Sequence, residues 1–302
     1  MKIAILMSTY NGQKYLEEQM KSLQKQTLKD KTTIYIRDDG SNDDTIKIID
    51  RWSEYLDIVL YKEENIGPAQ SFWKLFMNMD IQADYYAFCD QDDIWDYDKL
   101  EKGVEALRNE KKEALWCSNC RIINNNNKVI LDKMNMKVPD FSIVSQMVCG
   151  TTQGCSMMLN NILRNYIAQK NIKKFPMHDF VVMTYAIAKG NVIYDSNPSF
   201  SYRVHDANVI ASGGKNTLTH IKDSLKRWFS NSHRNELSEF AKVFMKDNKD
   251  CLDMETSSYI TNLIKSKYNL ICRVRIVFNR NTKSDNKRAE RSFKIRTILG
   301  VV

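Results

Sequence analysis

Short apolar segments alternate with amphipathic ones over the first hundred residues, and this alternation constrains the fold more than any other feature. Residues 3–7 form an apolar run, after which the apolar positions of 15–23 recur at helical spacing. The β-branched run 33–37 predicts a second strand that ends in a turn. Repetition of this kind predicts an α/β fold, with a mixed, mostly parallel sheet and helices on both faces.

The same pattern continues to the end of the first hundred residues. Residues 57–61 and 85–89 read as strands, and Pro68 predicts the start of a helix because proline suits the first helical turn. In sheets of this type, ligands bind outside the carboxyl ends of the strands. Three polar segments each follow a predicted strand, so we expect them to converge at one edge of the sheet: 9–11, 38–39 and 90–93.

Asp90, Asp92 and Asp93, with Gln91 between them, place three carboxylates within four residues. Like charges this close repel one another, and a hard cation such as Mn²⁺ or Mg²⁺ removes that cost. Such a metal also neutralises the charge that builds on a departing diphosphate. A solvated acidic turn that caps the helix near Asp98 is the alternative, but the apolar flanks of the cluster favour a site.

Charge is distributed unevenly along the 302 residues. The chain carries 45 basic and 37 acidic side chains, yet residues 215–302 carry 19 basic and 9 acidic ones, which leaves the first 214 residues at −2. We therefore expect a catalytic domain that is followed by a basic helical region over 215–302. The basic excess is not interleaved with a recognisable nucleic-acid-binding motif, so we expect no nucleic acid partner.

The location is predicted from what the sequence does not contain. It has no apolar stretch of about 18 residues, and the N-terminal run is too short for a signal peptide. Seven cysteines with one isolated C-x-x-C pair, Cys117 and Cys120, favour reduced thiols over a metal site or a disulfide framework. We expect a cytoplasmic protein.

Four motifs resemble, in order and spacing, those of the family 2 inverting glycosyltransferases: residues 7–12, 37–45, 65–69 and 89–95. The resemblance implies a GT-A fold with a nucleotide-binding half over 1–97 and an acceptor-side half over 98–211. It also implies transfer of a sugar from a UDP- or dTDP-sugar to a saccharide or lipid-linked acceptor in bacterial surface polysaccharide synthesis. A metal-dependent nucleotidyltransferase, or another enzyme that binds nucleotide sugars, is the alternative.

The resemblance assigns roles on the donor side. Asp38 or Asp39 would accept a hydrogen bond from the base N–H, which implies a pyrimidine nucleotide. Asp92 would coordinate the metal, whereas Asp90 would bind the sugar or ribose and Asp93 would support the site or reach the donor sugar. The remaining predicted donor-binding residues are Thr9, Tyr10, Asn11, Gly67 and Gln91.

On the acceptor side, the resemblance makes Asp179 the general base that removes the proton of the acceptor hydroxyl. A helix start also favours an acidic residue electrostatically, so capping alone is the alternative for Asp179. Trp95, Gly154 and His178 are the other acceptor-side predictions.

The segment 201–210 resembles a Y-R-x-H-x-x-N-V-I motif of the bacterial rhamnosyltransferase subgroup, which makes rhamnose the implied sugar. Arg203 or His205 would meet the diphosphate, and His205 would add a metal ligand; a structural role for His205 is equally open. The chain departs from the subgroup at Asp206 and Ala211, where glycine is usual.

The region 215–302 follows a predicted hinge at residues 212–214. Apolar positions between 218 and 229 lie beside basic ones, and residues 265–302 carry 11 basic and 2 acidic side chains. Basic amphipathic helices are attracted to anionic lipid surfaces, so we expect peripheral contact with the inner face of the plasma membrane. Packing on the catalytic domain, or on a second copy in a homo-oligomer, is the alternative.

Overall fold

The computed structural model describes residues 1–205 and 235–302. The chain divides into two compact units. The first comprises Met1–Pro139, Thr152–Gln169 and Asn191–His205, and the second comprises Asp140–Thr151, Lys170–Gly190 and Asp206–Val302. The predicted domain boundary at 211, the hinge at 212–214, the apolar positions of 218–229, and Asp206 and Ala211 all lie outside the described residues.

The first unit is built on one sheet of nine strands among the described residues. In chain order these are β1 (Ile3–Thr9), β2 (Thr32–Asp38), β3 (Ile58–Lys62), β4 (Tyr85–Cys89), β5 (Ile94–Trp95), β6 (Leu115–Ile123), β7 (Val129–Leu131), β8 (Met157–Asn160) and β9 (Val192–Arg203). They lie in the order β3-β2-β1-β4-β8-β6-β9-β5, and β7 pairs with β6.

Helices surround this sheet or form the second unit. The first unit contains α1 (Leu16–Gln24), α2 (Thr45–Trp52), α3 (Pro68–Met77), α4 (Lys99–Leu107) and, after α5 of the second unit (Ile143–Cys149), α6 (Asn161–Ala168). The second unit continues with α7 (His178–Lys189), α8 (Glu236–Asn248), α9 (Met254–Ser266), α10 (Leu270–Val277) and α11 (Lys287–Leu299).

The predicted α/β fold is confirmed, and the sheet is mixed. Strands β1 to β4 are mutually parallel, as their alternation with helices requires. Beyond β4 the direction changes, because β8 runs antiparallel to both β4 and β6. Parallel pairing therefore dominates only the N-terminal part of the sheet.

Strand register brings the polar segments together. Thr9 pairs with Asp38, and Met7 pairs with Cys89, so the chain leaves β1, β2 and β4 at neighbouring positions of the same sheet edge. The predicted convergence of 9–11, 38–39 and 90–93 is thus a consequence of three parallel strands in register.

The second unit consists of helices in its described part, as predicted for the basic C-terminal region. Its core contains aromatic side chains from α7 and α8, with the rings of Tyr185 and Phe244 5.4 Å apart between centroids. The Tyr185 hydroxyl donates to Asp247 at 2.8 Å. None of the helices in residues 1–205 and 235–302 is long and apolar enough to cross a membrane.

Candidate functional site

The loops that follow β1 and β2 are joined through the Asp38 carboxylate. The Thr9 hydroxyl donates to Asp38 Oδ1 at 2.9 Å, and the Ser41 backbone N–H donates to Oδ2 at 2.9 Å. Ser41 Oγ in turn accepts from the Asn11 backbone N–H at 2.9 Å. Three residues predicted to bind the nucleotide, Thr9, Asn11 and Asp38, therefore belong to one hydrogen-bonded network.

Asp39 organises the loop that precedes α3. Its carboxylate forms a buried ion pair with Arg37 and accepts from the backbone N–H groups of Ile66 and Gly67, each at 2.9 Å. Gly67 has a φ of 82°, a conformation that glycine adopts without strain. The role of Arg37 was not predicted, although a basic residue inside a strand that ends in two acids is the available signal.

Gln91 connects the loops after β4 and β1. The Tyr10 N–H donates to Gln91 Oε1 at 2.9 Å, and Gln91 Nε2 donates to the Tyr10 carbonyl at 3.0 Å. A Cβ on Gly12 would lie 2.3 Å from Gln91 Oε1, so Gly12 leaves the space that this side chain occupies. The Tyr10 ring is 46% exposed, which keeps one aromatic face open at this edge.

The two residues predicted to hold a metal lie side by side. His205 Nε2 is 2.8 Å from Asp92 Oδ2, and the His205 ring stacks on Tyr15 with centroids 4.8 Å apart. The side chains of His205 and Asp92 share a hydrogen bond at this 2.8 Å distance. A carboxylate oxygen is a suitable ligand for Mn²⁺, and a neutral imidazole nitrogen that gave up this hydrogen bond would add a second one. The residues present therefore fit a divalent metal.

Asp90 and Asp93 form a second cluster with Cys155. One ligand atom from each lies within 4.8 Å of the others, and Asp93 and Cys155 are fully buried. Burial, reinforced by Asp90 and Asp92, raises the pKa of Asp93 well above its ordinary value, and burial also raises the pKa of the Cys155 thiol. A protonated thiol is a poor ligand for a hard cation, so Asp92 and His205 suit Mn²⁺ or Mg²⁺ better.

Arg203 holds the acidic segment 90–93 in place. Its guanidinium is fully buried, donates to the Asp92 carbonyl at 2.8 Å and pairs with Glu18, while its backbone N–H donates to Asp93 Oδ1 at 3.1 Å. It also lies over the Tyr15 ring at 4.6 Å. These contacts are with other residues of the protein. The contact of Arg203 with the diphosphate stays a prediction. The parts played by Tyr15 and Glu18 were not predicted.

Replacing Arg203 with methionine is expected to lower the free energy of unfolding by about 2 kcal/mol, because the fully buried guanidinium is lost and the Asp92 and Asn124 carbonyls and the part-exposed Glu18 lose their donor. Urea unfolding of the purified chain measures this. Arg121→Met is the matched control, since Arg121 lies on β6 beside β9 and pairs with the half-buried Asp96. We expect about 1 kcal/mol or less for the control, and equal losses in the two variants would contradict the assignment.

Two further predicted residues, Trp95 and Gly154, are buried. Trp95 is 3% exposed, and the Lys99 ammonium lies 4.9 Å from its ring centroid. Gly154 is buried in a single 3-10 turn before β8. Direct contact of either residue with the acceptor stays a prediction. Lys99 itself was not predicted; burial among Trp95, Trp116 and Phe200 lowers its pKa to about 8.

The buried thiols of the C-x-x-C pair are not poised for metal or redox chemistry. Cys117 and Cys120 lie on β6, and burial raises the pKa of each to about 12. Both therefore remain protonated at neutral pH, whereas thiolates are the form that binds metal or attacks a disulfide.

In the second unit, Asp179 lies in the first turn of α7 and accepts from the backbone N–H of Phe180 at 2.7 Å. Its side chain is half-buried, and its position at a helix start is the one predicted. His178 precedes it and is buried, which lowers the pKa of His178 to about 3. His178 is consequently neutral at physiological pH.

The depressed pKa of His178 has a consequence for stability. The unfolded chain takes up a proton near pH 6.5 whereas the folded chain does not, so stability is present above pH 6.5 and is lost as pH falls toward 3. We expect about 2 kcal/mol of this loss between pH 8 and pH 5. Urea unfolding across that range measures it, and His178→Gln is expected to be less sensitive to pH. Identical pH dependence in both proteins would exclude His178 as the source.

The fold and the edge that joins β1, β2 and β4 define an α/β protein with a candidate ligand-binding site, and comparison with known proteins gives its family. Residues 4–182 match the model of glycosyl transferase family 2. The match covers more than half of the chain, and the protein belongs to this family of glycosyltransferases.

Two relatives illustrate the similarity. The chain is 25% identical over 275 residues to a dTDP-rhamnosyl transferase, RfbG, of Shigella flexneri, which covers 85% of this chain and 91% of the relative. It is 33% identical over 107 residues to the putative teichuronic acid biosynthesis glycosyltransferase TuaG of Bacillus subtilis, which covers 35% and 41% of the two chains.

Solved structures show the same fold at low sequence identity. Residues 1–349 of TarS from S. aureus match 100% of this chain and 81% of that chain, with a TM-score of 0.60 and 14% identity. A mannosyltransferase of Pyrobaculum calidifontis, PcManGT, in complex with GDP-Man and Mn²⁺, matches 99% and 85%, with a TM-score of 0.51 and 13% identity.

Proposed function

We propose that this glycosyltransferase transfers a sugar from a UDP- or dTDP-sugar with inversion at the anomeric carbon. The observation that carries the proposal is the convergence of Thr9, Asp38, Gln91 and Asp92 at one sheet edge. Hydrogen-bond acceptors for a base, an exposed aromatic ring and the carboxylate of Asp92 follow three adjacent strands, in the place where α/β sheets bind ligands.

The nucleotide would lie against Thr9, Tyr10 and Asn11. A carboxylate at Asp38 or Asp39 accepts from the imide N–H that uracil and thymine share, whereas a purine presents a different hydrogen-bond pattern there. Both carboxylates are held in place by backbone N–H donors, so each is oriented before a ligand arrives.

Asp92 and His205 would hold Mn²⁺ or Mg²⁺, which supplies neutralisation of the diphosphate charge when bound. Asp90 and Asp93 would contact the donor sugar or ribose, with Asp93 held by the Arg203 backbone N–H. Arg203 keeps the segment 90–93 in position through the Asp92 carbonyl, which supports a positioning role in addition to the predicted contact with the donor.

Asp179 would act as the general base. It removes the proton of the acceptor hydroxyl as that oxygen attacks the anomeric carbon from the face opposite the diphosphate, and the nucleoside diphosphate departs. Its place in the first turn of α7, next to a neutral His178, supports this assignment. Trp95, Gly154 and His178 would shape the acceptor side from buried positions.

The similarity to a dTDP-rhamnosyl transferase over most of both chains favours dTDP-rhamnose as the donor. The acceptor would be a saccharide or lipid-linked saccharide of a bacterial surface polysaccharide, in line with the name of a second relative. Acceptors of this kind lie at the inner face of the plasma membrane, where the basic region 215–302 would make peripheral contact from the cytoplasm.

Nucleotide binding tests the donor assignment. Calorimetric titration in the presence of Mn²⁺ is expected to show UDP and dTDP binding at least about tenfold more tightly than CDP or ADP, whose bases lack the imide N–H, since a lost hydrogen bond to a carboxylate costs about 1.5–3 kcal/mol. Equal binding of the four nucleotides would refute a base-reading carboxylate. Asp57→Asn is expected to leave this nucleotide preference unchanged. Asp57 lies just before β3, at the end of that strand opposite the proposed base-binding edge.

A further inference from the structure

Helix α10 presents an apolar face to the outside of the second unit. Leu270, Ile271, Val274 and Phe278 are 69%, 64%, 50% and 81% exposed. Their spacing places them on one side of the helix and its C-terminal end. The opposite side is buried through Cys272, at 5%, so the exposed side chains are not needed for packing.

The last turn of α11 carries further exposed apolar side chains. Arg273 Nη1 donates to the carbonyl of Ile298 at 2.9 Å, which holds the end of α11 against α10. Ile295, Ile298 and Leu299 are 47%, 54% and 41% exposed. Exposed apolar side chains on two adjoining helices exceed the scattered single residues that are normal on a protein surface.

Positive charge dominates the stretch of sequence that carries these side chains. Residues 265–302 carry 11 basic and 2 acidic residues, and one of the acids, Glu290, is already paired with Lys287 and Lys294. The hydrogen bonds from Lys294 and Lys287 lower the pKa of Glu290 to about 2, so Glu290 stays ionised and paired with these two lysines. Seven basic side chains of this stretch are exposed: Lys265, Arg275, Arg280, Lys283, Lys287, Arg288 and Arg291.

We propose that this face, defined as Leu270, Ile271, Val274 and Phe278 with the exposed basic side chains around it, docks on an anionic lipid surface. The apolar side chains would enter the headgroup region while the cations bind lipid phosphates. The excess positive charge disfavours a second copy of the same surface, which would carry the same charge. The proposal rests on the proposed function, because it places the enzyme beside a lipid-linked acceptor.

Vesicle co-sedimentation of the full chain tests the proposal without any need for activity. Wild type is expected to bind phosphatidylcholine vesicles that contain about one-third phosphatidylglycerol, and to bind pure phosphatidylcholine at least about tenfold more weakly. The double variant Ile271→Ser with Phe278→Ser is expected to lose at least about tenfold in binding. Both side chains are exposed, so the fold is retained, which circular dichroism checks.

The matched control is Ile130→Ser with Met136→Ser, which removes two exposed apolar side chains, 56% and 86% exposed, from the first unit. We expect it to bind as wild type does. Wild-type binding by the α10 variant would overturn the proposal, as would equal binding to neutral and anionic vesicles. A change from dimer to monomer in the α10 variant, with vesicle binding unaltered, would instead make this face a subunit interface. Release of nucleoside diphosphate is measured separately, so failure of catalysis and failure of docking are distinguished.

Discussion

Replacing Asp179 with asparagine is expected to lower turnover by about 10²–10⁴-fold while nucleotide binding stays unchanged. The amide keeps the size of the side chain and still accepts from the Phe180 N–H in the first turn of α7, but it cannot take the proton from the acceptor hydroxyl. Steady-state release of nucleoside diphosphate, together with calorimetric titration of the nucleotide, separates the two effects.

Asp253→Asn is the matched control for this variant. Asp253 caps α9 in the same unit, where its side chain accepts from the Thr256 backbone N–H at 2.7 Å. If Asp179 only caps a helix, the two variants will behave alike, with turnover near that of wild type. That outcome would remove Asp179 from the mechanism.

Replacing Asp92 with asparagine is expected to lower metal-activated turnover by about a hundredfold or more, because neutralisation of the leaving diphosphate is worth several kcal/mol. An amide oxygen lacks the negative charge with which Asp92 would bind a divalent cation. His205, the second proposed ligand, does not replace that charge. Turnover as a function of Mn²⁺ concentration measures the effect, and Mn²⁺ binding followed by electron paramagnetic resonance shows whether the ion is lost.

Cys155→Ala distinguishes the two candidate metal sites, which are Asp92 with His205 and Asp90 with Asp93 and Cys155. Cys155 lies near Asp90 and Asp93, so a metal that used its thiol as a third ligand would bind more weakly after this change. We expect Mn²⁺ affinity to remain at the wild-type value in Cys155→Ala and to fall in Asp92→Asn. The reverse result would move the metal to the buried cluster.

Much of the fold follows from local patterns. The first four strands and the helices between them were predicted because hydrophobic periodicity, proline at 68 and the turn at Gly40 are local signals. Convergence of Thr9, Asp38 and Asp90 then follows from the rule that parallel strands end at one edge.

The supports behind the site were not predicted, because they join residues that are far apart in the sequence. Glu18 meets Arg203 only after β9 has paired in the sheet, and the hydrogen bond between Thr9 and Asp38 depends on strand register. Burial is equally non-local. Trp95 reads as an aromatic beside an acidic motif, but its place in the core is decided by β5 pairing with β9.

Product analysis with a panel of UDP-, dTDP- and GDP-sugars, with and without Mn²⁺, tests the central claim most directly. Membrane extract supplies a source of acceptor, and phosphorus NMR identifies what is released. Transfer of a sugar predicts a nucleoside diphosphate from a UDP- or dTDP-sugar, at a rate that rises with Mn²⁺. Release of pyrophosphate, or of no nucleoside diphosphate from any donor, would contradict the account.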